Sequence, residues 1–143
     1  MITLGKVESY NDLLQIRELN QNNLKNNLSE EDRLEYGFLT LDYGIGLLKD
    51  VNKIHKSIVA RDDDKIVGYA IVIDKTVYGL NKLFDDLIDR LSTITFNSKK
   101  LKNINYALVG QLCIKKEYRG MGVVKEIYKF YKKEYSEKYH YLI

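Results

Sequence analysis

The sequence predicts an α/β fold, and three stretches carry that prediction. Tyr106 to Tyr135, reading YALVGQLCIKKEYRGMGVVKEIYKFYKKEY, runs apolar strand, charged turn, glycine-containing loop and amphipathic helix without a break. Lys56 to Arg61 and Lys65 to Ile73 are rich in Ile and Val and flank the acidic turn Asp62 to Asp64, the pattern of a β-hairpin. Around these lie segments whose apolar residues recur at helical spacing.

Taken in chain order, Ile2 to Val7 is a first strand, and Asn11 or Asp12 caps a helix that turns Leu13, Ile16 and Leu19 toward a core. The polar run NQNNLKNNL ends that helix. Ser29 is an N-cap for a short helix through Glu35, with Glu30, Glu31 and Asp32 at its positive end. Leu39 to Ile54 has helical character that Gly44 and Gly46 weaken. After the hairpin, Tyr78 to Leu91 places Leu80, Leu83, Phe84, Leu87, Ile88 and Leu91 on one helical face, and Ser98 to Asn105 is a polar loop. Tyr106 to Ile114 is too short for a helix and rich in strand formers, so it is a largely buried strand, and Gly110 within it marks a bulge or a close backbone approach. In the last helix Val124, Ile127, Tyr128, Tyr131 and Tyr135 form the packing face and Lys125, Glu126, Lys129, Lys132 and Lys133 the wet one.

The junction between that strand and helix predicts an anion cradle. Gly120 and Gly122 let main-chain N–H groups turn toward a ligand with no Cβ in the way, and the helix that opens there adds unpaired N–H groups and a positive dipole end. A phosphate or pyrophosphate suits such a place. Two nucleotide-binding patterns fail the sequence: a phosphate loop of the GxxxxGK type needs a hydroxyl after its lysine, and a GxGxxG dinucleotide turn would put glycine where Lys125 stands.

The pattern that fits is that of the GNAT acetyltransferase superfamily, which the chain resembles through QLCIKKEYRGMGVVKEIY. The family's loop is Arg or Gln, two residues, Gly, one residue, then Gly or Ala; here it is Arg119, Gly120, Met121, Gly122, Val123, Val124, with Val124 in place of the small residue. IVARDDDKIVGYAIVID resembles the family's central hairpin and EKYHYLI the start of its next parallel strand. The resemblance implies one acyl-CoA N-acyltransferase-like domain over residues 1–143, with a central mixed twisted sheet flanked by helices. It further implies acetyl-coenzyme A lying where two parallel strands splay, bonded to the backbone of Leu112, Cys113 and Ile114, with its pyrophosphate on the N–H groups of Arg119, Gly120, Met121, Gly122, Val123 and Val124. Acetyl would pass to a primary amine of a small molecule or peptide by direct attack. Gln111 and Tyr36 are weak candidates for contacts to the acceptor, and no catalytic acid or base is assigned. In the family a further helix and two strands follow, so the domain is expected to be C-terminally incomplete and finished by a partner chain or by strand exchange between two copies.

Composition bounds the rest. The chain has 143 residues, 45% apolar and 30% charged, enough for one core and too few for two. Its net charge of +3 comes from 23 bases interspersed with 20 acids, which argues against nucleic acid as a partner. The single cysteine, Cys113, excludes an intrachain disulfide and is expected to be a core residue in place of a nucleophile, and His55 and His140 lack metal-ligand spacing. No stretch approaches ~20 apolar residues and the N-terminus lacks a leader pattern, so a cytoplasmic protein without a membrane span or metal is expected. Three functional classes stand at this point: an N-acetyltransferase, a catalytically impaired coenzyme A-binding or partner-completed module, and a structural domain whose glycines only make a turn.

Overall fold

The computed structural model describes residues 1–37 and 39–143, and of Tyr36 the backbone alone. Five strands form one sheet: β1 (Ile2–Lys6), β2 (Ile58–Asp62), β3 (Lys65–Asp74), β6 (Tyr106–Ile114) and β7 (Tyr141–Leu142), adjacent in that order. The first three junctions are antiparallel and β6 with β7 is parallel, so the sheet is mixed. The helices are α1 (Tyr10–Asn22), α2 (Glu30–Tyr36), α3 (Ile45–Ile54), α4 (Lys82–Ser92) and α5 (Val123–Tyr135). A two-strand hairpin, β4 (Thr95–Phe96) and β5 (Lys99–Lys100), stands apart from the sheet.

Both faces of the sheet are covered, which is why KIVGYAIVID reads as an unbroken apolar run: β3 is central, and every residue after Lys65 is buried. Tyr69, Ile71 and Ile73 face a core shared with Leu13, Ile16, Leu48 and Phe84 from α1, α3 and α4, while Val67, Ala70 and Val72 face Val123, Ile127, Tyr131 and Tyr135 of α5. Burying such side chains contributes about 1.5–3 kcal/mol each, and this fixes α5 against the sheet.

Several expected boundaries move, each for a local reason. Ser9 caps α1, its Oγ accepting from Asp12 N–H at 3.2 Å, so neither Asn11 nor Asp12 is the cap. Asp12 is instead held by Arg61 through two bonds of 2.8 and 2.7 Å, which tie α1 to β2 and keep its carboxyl below the usual carboxylate range. The helix also runs through the first asparagines to Asn22. Of Leu39 to Ile54 only the part after Gly44 is helical, and α4 starts at Lys82 because Asn81 caps it. The expected packing face of α5 is rotated: Val124 and Tyr128 are 43% and 44% exposed, and the buried stripe is Val123, Ile127, Tyr131, Tyr135. The loop expected from Ser98 contains the β5 strand.

Two polar clusters lock the elements together. Asn20 is fully buried; its Nδ2 donates to Leu41 O and Gln111 Oε1, both at 3.0 Å, and its Oδ1 accepts from Tyr43 N–H at 3.0 Å. At the far end of β3, Tyr139 donates to Asp74 Oδ2 at 2.6 Å, His55 Nε2 lies 2.9 Å from the same oxygen, and Thr76 donates to Oδ1 from its main-chain N–H at 2.8 Å. Burial alone would raise the Asp74 carboxyl; the bonds from His55, Thr76 and Tyr139 outweigh it and hold the group far below the usual range.

Replacing Asn20 with Leu strips Tyr43 N–H of its acceptor inside the core and is expected to cost about 2 to 4 kcal/mol in urea unfolding. Because Asp74 titrates lower folded than unfolded, its contribution is whole above about pH 4 and is lost as the pH falls below that. Unfolding free energy compared at about pH 6 and pH 3 is expected to drop less in Asp74→Asn than in the wild type. Equal drops would exclude a stabilising role for this clasp.

Candidate functional site

The site is built where β6 ends and α5 begins. Its first determinant is a bulge: Ile71 pairs with Gln111 and Val72 with Val109, leaving Gly110 as the extra residue. A Cβ there would come within 3.1 Å of Ile73 Cδ1, so the expected bulge and the expected close approach coincide. Beyond the bulge, Lys115 N–H donates to Val67 O at 2.7 Å, and strand alternation then turns the main-chain groups of Cys113 toward β3 and those of Leu112 and Ile114 away from it.

The second determinant is the turn. A short 3-10 segment, Lys116–Tyr118, ends at Arg119, whose N–H donates to Lys116 O at 3.2 Å. Gly120 and Gly122 then take φ of +77° and +80°, the left-handed region that a Cβ disfavours. Nothing lies within 4 Å of a Cβ built on either, so these glycines answer to backbone conformation and leave open space around them. Gly122 is the N-cap of α5 and offers no capping side chain. Among the described residues, the N–H groups of Gly120, Met121, Gly122, Val123, Val124 and Lys125 have no protein acceptor; the first N–H taken up again is that of Glu126, by Gly122 O at 3.2 Å. Six successive donors thus stand at an exposed helix start, against the positive end of the helix dipole. The Arg119 N–H, expected among them, is satisfied within the chain.

Among the described residues three clefts share Arg119, and two of them reach the strand edge or the glycine turn. One, of about 360 Å³, lies between Leu112, Cys113 and Ile114 on one side and Asn23, Gly37 and Leu39 on the other. The second, of about 470 Å³, follows Gly120, Gly122, Val123 and Lys125, and both include Ile114, Arg119 and Val124. The Arg119 guanidinium sits between them, its Nε donating to Ile114 O at 2.9 Å and its Nη2 to Asn23 Oδ1 at 2.8 Å. Burial pushes the Cys113 thiol up to about 11, against a smaller lowering by Arg119, so the thiol stays protonated at neutral pH.

The structure therefore brings Leu112, Cys113, Ile114, Arg119, Gly120, Gly122, Val123 and Val124 together around one region, while Met121, expected with them, lines neither cleft. It does not bring Gln111 there as an available contact: Gln111 Oε1 accepts from Tyr69 OH at 2.6 Å and from Asn20, and its Nε2 donates to Leu41 O at 3.3 Å, so its amide is consumed inside the core. The side chain of Tyr36 lies outside the described residues. Asn23, Gly37 and Leu39 form a wall that the sequence did not signal, because they are adjacent to β6 only in space: Leu39 N–H donates to Asn23 O at 2.8 Å and Lys25 N–H to Leu39 O at 3.0 Å.

No family profile and no curated protein matches the sequence. Solved structures do match the fold. The ribosomal-protein-S18-alanine N-acetyltransferase from Escherichia coli aligns with a TM-score of 0.54 at 10% identity, covering 94% of this chain and 59% of that one. The NatC complex bound to Gag peptide and CoA aligns at 0.56 and 14% identity, covering 96% of this chain and 68% of that one. A GNAT family acetyltransferase from Brucella melitensis in complex with acetyl-CoA aligns at 0.57 and 11% identity, covering 99% and 73%. This chain thus spans about three fifths of the length of the E. coli enzyme. At such identities the likeness concerns architecture: the mixed sheet, its helices and their order give this chain the fold of the GNAT N-acetyltransferases.

Proposed function

We propose that this chain binds acetyl-coenzyme A and transfers its acetyl group to a primary amine on a peptide or small molecule. The observation that carries the proposal is the run of six main-chain N–H groups from Gly120 to Lys125 without a protein acceptor, opening beside the Leu112–Ile114 edge. Unpaired donors gathered at a helix start suit a diphosphate, and they need backbone geometry more than side-chain identity. Val124, where the family's loop has a small residue, is compatible because its N–H and not its side chain would make the contact. The structural neighbours that carry CoA or acetyl-CoA, and the peptide seen with one of them, favour this cofactor and an amine of a peptide.

In this proposal the chain's own contribution is positioning. The N–H groups of Leu112 and Ile114 and the carbonyl of Leu112, which face away from β3, offer main-chain bonds to an extended ligand arm, and an N–H on that edge would stabilise negative charge developing on the acetyl oxygen. The amine attacks the thioester carbonyl directly and forms the C–N bond, the C–S bond breaks with its electron pair leaving on the coenzyme A thiolate, and the amine's proton passes through solvent to balance that charge. Cys113 takes no part as a base or nucleophile, since its thiol remains protonated.

A second reading has one observation in its favour: the described residues lining the β6 cleft include no carboxylate or imidazole. A chain that holds coenzyme A without turnover would fit that lining. Calorimetric titration of acetyl-coenzyme A, run beside a thiol-release assay on a panel of amines and N-terminal peptides, separates the two. The expected result is micromolar binding with release of the thiol; binding without release selects the second reading. Gly122→Val, which forces a β-branched residue to φ +80°, is expected to weaken binding by at least about tenfold. Wild-type binding in that variant, or no binding by the wild type, would remove the cradle.

A further inference from the structure

The cleft beside β6 has two walls, and one side chain joins them. Arg119 bonds Ile114 O on the strand side and Asn23 Oδ1 on the other, while standing one residue before the glycine turn. Asn23 is a junction in its own right. Its Nδ2 donates to Leu19 O at 2.8 Å and its N–H to Asn20 O at 3.1 Å, which seat it at the end of α1. Its own carbonyl takes the Leu39 N–H, and the Leu24–Leu39 bridge continues that pairing. A continuous chain of bonds therefore runs from the glycine turn through Arg119 and Asn23 to Leu39.

We infer that the Arg119–Asn23 bridge couples the phosphate cradle to the opposite wall of the cleft, making Asn23 a positioning residue that fixes Leu39 when the cradle is filled. The inference rests on the coenzyme A reading above and adds to it a means by which occupancy of the donor site orders the surface an acceptor meets. Its physical basis is geometric. Residues 120–122 are exposed, Arg119 is half-buried, and the loop has few internal main-chain bonds, so a ligand that pins it also pins the guanidinium that Asn23 grips.

The test reads amide hydrogen exchange at Leu39 and Lys25 with and without saturating coenzyme A, alongside calorimetric titration of coenzyme A. In the wild type, coenzyme A is expected to slow exchange at both amides by at least about fivefold. Asn23→Ala, compared at coenzyme A concentrations that saturate it, is expected to lose that slowing, and Asn23→Asp, which restores an acceptor for the guanidinium, to recover it. Arg119→Lys keeps the charge but cannot bridge two acceptors in one fork, and at saturating coenzyme A is expected to lose the slowing at Leu39 and Lys25. Equal slowing in the wild type and Asn23→Ala, or a wild type that binds coenzyme A with no change at Leu39, overturns the coupling and leaves the cofactor reading standing. A wild type that does not bind coenzyme A removes the cofactor reading, and the coupling with it.

Discussion

The interaction on which the site depends is one the chain declines to make with itself. Helices α1, α2 and α4 begin under a side-chain cap, with Ser9, Ser29 and Asn81 each accepting an N–H of the first turn. Helix α5 begins with Gly122 in the left-handed region and no cap, and among the described residues the N–H groups from Gly120 to Lys125 have no protein acceptor. Helix α3 also starts at an uncapped glycine, but its Gly44 has an ordinary φ of −60° and neither cleft described above reaches it. Unpaired donors are costly unless water or a ligand takes them, so their concentration at one exposed turn is the strongest pointer to an anion in the molecule.

The rest of the fold holds that turn in place. Val123, Ile127, Tyr131 and Tyr135 seat α5 on β2, β3 and β6, which fixes where its first turn points. The Gly110 bulge sets the alternation of the last part of β6, so that Ile114 O meets Arg119. Arg119 places a cation beside a positive helix end, an arrangement unfavourable by itself that an intervening anion would relieve. The buried Asn20–Gln111–Tyr69 cluster anchors α1 to the middle of the sheet just before Asn23, so the facing wall is tied to the same core.

Much of this was legible in the sequence because the signals were local. The strand Tyr106–Ile114, the hairpin around Asp63, the Ser29 cap and the glycine turn each depend on residues within a few positions of one another. What was not legible depends on distance along the chain. Gln111 sits 91 residues from Asn20, and only their contact shows that its amide is spent in the core. The buried face of α5 differs from the one its spacing predicts because Val123 and Val124 are equally apolar and the sheet alone decides between them. Of the facing wall, Asn23 lies in a polar run that has no periodicity to interpret, and Leu39 in a segment whose spacing suggests helix instead.

The account turns on where a diphosphate would rest. A crystal structure of the full chain with coenzyme A measures this directly. The account predicts phosphate oxygens within hydrogen-bond distance of main-chain N–H groups between Gly120 and Lys125, with the pantetheine arm along Leu112 to Ile114. Coenzyme A bound elsewhere, with those N–H groups still facing solvent, would contradict it.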